Sequence, residues 1–150
     1  MTRISLGQIF EVETKLGKVY IHYVFKDSEL GSLVRVLNGV HPKQPDNLTE
    51  LVEQEHQFVV FIGLAAGNRQ KMIRCVGNHP VGKFDKPSFM RTQHVIRGKL
   101  LGWHIVNTDT WQRQLVETLS IEQRRMSPWG VWSIPLLIEN LEKGWSLETW

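Results

Sequence analysis

The sequence predicts an α+β fold: a mainly antiparallel, strongly bent sheet or partial SH3-like barrel plus a hairpin, with two or three short helices mostly at the C-terminal end. Three observations carry this expectation. The first half is a series of short aromatic and β-branched stretches separated by glycine turns. Neighbouring stretches are joined by connections too short for parallel crossovers, which implies an antiparallel meander. Helical patterning is brief, and its clearest instance comes near the end.

The chain has 150 residues, 41% of them apolar and 22% charged, as in an ordinary globular protein. One domain, 1–150, is the economical reading, and a chain of this size buries roughly 68–70% of its unfolded surface. No apolar run reaches membrane-spanning length and the first ten residues lack a signal-peptide pattern, so no membrane association and a cytoplasmic location are expected.

The elements follow in order. In "QIFEVE", Phe10 and Val12 alternate with Glu11 and Glu13, the pattern of a half-buried strand with the two acids toward water. A turn at Gly17 leads to "VYIHYVFKD", and "SLVRVLNG" continues the meander. The prolines of "HPKQPDNLTELVEQE" forbid a regular strand. Asn47 and Glu50 form a capping box there, with Leu48, Leu51 and Val52 on the apolar side of a short helix. "HQFVVFIGLAAG" reads as a strand covered on both faces, followed by a turn at Gly67 and Asn68 and a hairpin partner, "KMIRCVG". Five such strands are the number that wraps into a small barrel.

Prolines and glycines mark residues 78–88 as irregular, and a hairpin of "KLLGWHIVN" and "WQRQLVE" is expected beyond them. Ser120 opens a second capping box, "SIEQ", and "SPWG" ends the brief helix that follows. Ser133 caps a last helix with Ile134, Leu137, Ile138 and Leu141 as its stripe and Gly144 just past its end. Trp129 and Trp132 are expected to pin that helix to the sheet, Trp103 and Trp111 to pack within the hairpin, and Trp150 to fray.

The chemistry is sparse. The single cysteine, Cys75, excludes an internal disulfide and is expected to be a buried small residue. Six histidines show no metal-ligand spacing: His104 is expected to be a hydrogen-bonded structural imidazole, and His79, before Pro80, is the one better placed to touch a ligand. There is no G-x-S-x-G elbow, and "GLAAGN" lacks the residues of a phosphate loop. No enzyme, cofactor or metal site is therefore expected.

Charge is more informative. Residues 69–99 hold eight Lys or Arg against Asp85 alone, whereas residues 44–57 hold four acids and no Lys or Arg. Such a dipole can steer partners. Two readings remain open. A basic module could hold nucleic acid through Arg69, Lys71, Arg74, Lys83, Lys86 and Arg91, with Phe84 and Phe89 available to stack on bases. Alternatively, the two charge runs are plain solvated faces.

The pieces "GQIFEVETKLGKVYIHYVF", "FVVFIG", "IRCVGNHPV" and "LSIEQRRMSPWGVWSIPLLIENLEKGW", in this order, resemble the immunity protein 26 family of bacterial polymorphic toxin systems over nearly the whole chain. Val19 to Val24 lack the glycines that family often has in its second strand. The resemblance implies a non-catalytic, cytoplasmic inhibitor whose partner is a cognate toxin. If that toxin is a nuclease with a basic cleft, Asp46, Glu50, Glu53 and Glu55 become the candidate contact surface.

Overall fold

The computed structural model describes residues 3–150. Its strands are β1 (Gln8–Thr14), β2 (Gly17–Asp27), β3 (Gly31–Val36), β4 (Phe58–Ile62), β5 (Ile73–Asn78), β6 (Phe89–Ile96), β7 (Lys99–Asn107), β8 (Arg113–Val116) and β9 (Val131–Trp132). Its helices are α1 (Leu48–Glu53), α2 (Leu64–Arg69) and α3 (Ile134–Glu142), with a single 3-10 turn at Gln123–Arg125. The architecture is α+β and mainly antiparallel, as the patterning predicts.

Six strands form one open sheet in the order β5-β1-β2-β3-β4-β9, and β6-β7-β8 form a second. Among the described residues only β9 runs parallel to its neighbouring strand, placing Phe61 opposite Val131 and Ile62 opposite Trp132. The sheet does not close into a barrel: β5 pairs with β1, not with β4 as the hairpin expectation had it. Leu64, Ala65 and Ala66 favour a helix over a turn, and α2 carries the chain away from β4 before β5 begins. Gly67 has a packing reason to be glycine, since a Cβ there would lie 2.5 Å from Ile134 Cγ1.

The six-stranded sheet is covered on both faces. On one, Phe10, Val12, Ile21, Val34, Phe58 and Val60 pack against Ile134 and Leu137 of α3. On the other, Ile9 and Tyr20 meet Leu51 and Val52 of α1, while Leu33, Val59 and Phe61 meet Met90 of the second sheet. All five residues of β4 are buried, which is why its sequence is continuously apolar. Double coverage also corrects the reading of Glu11, which is 4% exposed and not on a wet face.

Local signals for the helices are realised. Asn47 Oδ1 accepts from Glu50 N, Ser133 Oγ accepts from Leu136 N, and Ser120 and Gln123 bond reciprocally around the 3-10 turn. The second sheet has one strand more than expected, because β6 occupies a stretch that carried no strand expectation. Its link to β7 is a two-residue turn in which Arg97 and Gly98 both have positive φ, between the paired Ile96 and Lys99.

"SPWG" joins the two sheets. Ser127 Oγ accepts from Val59 N of β4, Ser127 O accepts from Arg91 N of β6, and Trp129 N donates to Arg91 O. Trp129 packs edge-on against Phe61 and Trp111, so it wedges between layers rather than pinning α3. Trp132 does reach the α3 face, where it meets Phe58 and Trp145. Trp111 lies in the turn before β8 at φ 63 and is 40% exposed, outside the hairpin packing expected of it. Trp150 does not fray: it packs at 4.9 Å from Trp103 and 5.5 Å from Trp145.

Candidate partner-binding surface

Asp46, Glu50, Glu53 and Glu55 are all exposed, on α1 and the residues that flank it. Leu51 and Val52 anchor the helix by burial against Ile9 and Tyr20, which turns the acidic side outward. None of the four takes part in an ion pair among the described residues.

The backbone beneath them is held. Arg35 of β3 donates through Nη2 to Gln54 O at 2.9 Å and through Nε to His56 Nδ1 at 3.0 Å. Gln57 N donates to Val36 O and Gln57 Nε2 to Leu37 O. These bonds tie the whole stretch from Gln54 to Gln57 to the end of β3. Arg35 Nη1 also lies 3.4 Å from His22 Nδ1, whose ring bonds His79 O through Nε2 at 2.9 Å. With Nε2 donating to that carbonyl, Nδ1 is the acceptor. Burial holds the His22 pKa below the usual imidazole value, the His79 carbonyl bond partly opposes this, and Arg35 reinforces it.

A cleft of about 950 Å³ opens beside the acidic segment. Glu53, Glu55 and His56 form one wall, and Ile121, Arg124 and Arg125 line another. Ile121 is 76% exposed, the most exposed large apolar side chain described. Neither Ile121 nor the cleft was legible in the sequence, because the two walls are some seventy residues apart in the chain.

The basic set is not one surface. Arg69, Lys71 and Lys83 are exposed. Arg74 Nη2 bonds Glu11 at 2.8 Å, and Lys86 Nζ bonds Asp109 at 2.8 Å and Thr108 O. Arg91 is fully buried, which removes it from any contact with phosphate. Its guanidinium lies 4.8 Å from the Trp103 ring and 4.6 Å from that of Trp150, and it donates to Met126 O, Arg124 O and Leu147 O. Main-chain carbonyls and aromatic faces therefore replace a counterion. Burial, with a smaller contribution from Arg124, pushes its pKa down to about 10, so it stays charged at neutral pH. Phe84 packs against the Leu33 cluster, and Phe89 is exposed.

Glu11 is the other buried charge. Tyr20 Oη, Lys18 Nζ and Arg74 Nη2 all donate to it. Burial pushes its pKa up, and the hydrogen bonds from Arg74, Tyr20 and Lys18 outweigh that and leave it below the ordinary value. Cys75, expected inside, is exposed on the edge strand β5, with Sγ directed to Gly77 O. The general tendency of a free cysteine to be buried fails here because β5 is an edge strand, with a bulge where it pairs with Ile9 and Phe10. His104 is hydrogen-bonded as expected, its Nε2 lying 3.0 Å from His94 Nδ1. Among the described residues no group of three or more His, Cys, Asp or Glu is arranged to hold a metal ion, and no helix is long and apolar enough to cross a membrane.

No protein-family model, curated protein or solved structure matches the chain.

Proposed function

We propose that this protein is a non-catalytic inhibitor that binds and neutralises a toxin protein in the cytoplasm of the cell that makes it, covering a basic active cleft with its acidic face. The observation that carries the reading is the set of four exposed acids, Asp46, Glu50, Glu53 and Glu55, on a segment anchored by Arg35 and free of ion pairs of its own. An inhibitor gains from such an arrangement twice. Unneutralised like charges accelerate encounter with a cationic partner. A backbone already ordered loses little entropy on binding. Ile121, beside the acids, supplies an apolar contact where charge alone would be screened by salt.

The test is co-expression with the product of the adjacent open reading frame, read as host survival. Rescue from a lethal neighbour supports the proposal. A lethal neighbour that is not rescued and forms no complex rejects it. With a complex in hand, changing Asp46 to Asn and Glu50, Glu53 and Glu55 to Gln should lower the association rate by about tenfold or more at low salt. Unchanged kinetics would move the contact surface elsewhere on the molecule.

A further inference from the structure

We infer that β8 is a self-association edge: two copies of the chain pair their β8 strands antiparallel about a two-fold axis at Leu115, joining two three-stranded sheets into one of six strands.

Among the described residues β8 pairs only with β7, leaving its outer side open. The direction of its free backbone groups follows from the ladder. Asn107 N donates to Gln112 O, so that pair is hydrogen-bonded, and antiparallel pairs alternate from there. Gln114 and Val116 therefore turn their peptide groups toward β7. Arg113 and Leu115 turn theirs outward.

An antiparallel mate centred on Leu115 uses those outward groups and has a self-complementary sequence. In "RQLVE", Leu115 meets Leu115 of the second copy, and Arg113 meets its Glu117 on either side of the axis. Leu115 is 58% exposed, and Arg113 and Glu117 are both exposed and outside the ion pairs described. The same sheet leaves Val95, Ile96, Leu100 and Leu101, around the β6–β7 turn, between 45% and 50% exposed. β5, the longer open edge of the large sheet, has a bulge and an outward Arg74 engaged by Glu11, both of which discourage pairing.

Sedimentation velocity across a concentration series tests the pairing, with circular dichroism confirming that each variant is folded. The wild-type chain should form a reversible dimer. Arg113→Glu or Glu117→Arg alone places like charges opposite each other twice, and should weaken dimerisation about tenfold. The double swap R113E/E117R should restore it, which a merely structural effect of either residue would not. Leu115→Asp should abolish association. A chain that stays monomeric throughout, a dimer indifferent to the single swaps, or a double swap that fails to restore it overturns the inference. None of these outcomes depends on a toxin partner, so the inference and the inhibitor reading fail separately.

Discussion

The two sheets are stabilised differently. The six-stranded sheet is a conventional aliphatic and aromatic core, covered on both faces by elements whose apolar periodicity matches their burial. The three-stranded sheet meets that core through Met90, and the closing segment is fixed to it by one cation, Arg91, seated between Trp103 and Trp150 and bonded to carbonyls of three residues distant in sequence. Burial of apolar area is non-directional and tolerates adjustment. A guanidinium that must meet three carbonyls is directional, and it specifies one position for the closing segment. The larger sheet therefore reads as the stable scaffold, and the smaller one as a docked layer held at a few points.

Changes that break this contrast rank by size. Phe58→Ala removes a ring packed against Trp132 and Trp145 in the larger sheet. It should cost about 3–5 kcal/mol in urea unfolding, with the whole protein affected. Arg91→Met keeps the aliphatic stem but strands the three carbonyls and empties the space between the two indoles. A loss of about 2–4 kcal/mol is expected. Amide exchange should accelerate in β6, β7 and β8 while β2 and β3 stay protected; uniform acceleration would mean that the two sheets unfold as one. Gly67→Ala forces a Cβ against Ile134 and should cost about 1–3 kcal/mol, as overpacking does.

The pH dependence sharpens the comparison on the scaffold side. His22 is 2% exposed, and its pKa lies below the ordinary value. As pH falls through the unfolded value, about 6.5, the unfolded chain takes up a proton that the native state resists. Stability should therefore decline from neutral pH downward until the native imidazole also protonates. The urea midpoint measured at several pH values should show this decline, and it should shrink in His22→Gln. The smallest effect is expected at Trp111, exposed and at positive φ: Trp111→Asn should change stability by less than about 1 kcal/mol, because relief of the left-handed backbone offsets the lost contact with Trp129.

The acidic surface was largely legible, because its carriers are local: a cap at Asn47, an apolar side at Leu51 and Val52, and acids on the positions left over. Arg35, which secures that segment, was not, since an arginine in a strand pattern carries no mark of which loop it will reach. Arg91 was misread for a related reason. Its charge counts toward a basic stretch in any window of sequence, yet the groups that receive it come from residues 124, 126 and 147.

What the sequence by itself determined is what short-range physics controls: the alternation of strands, the three caps, the turn at Gly17, and the double burial of β4. Tertiary structure alone decided the partner of β5, the buried states of Glu11 and Arg91, the exposure of Cys75, and the ordered packing of Trp150. Each of these depends on which surface arrives from elsewhere in the chain. A side chain's periodicity shows which way it points, and only the assembled layers determine whether water, an aromatic ring or a carbonyl is waiting there.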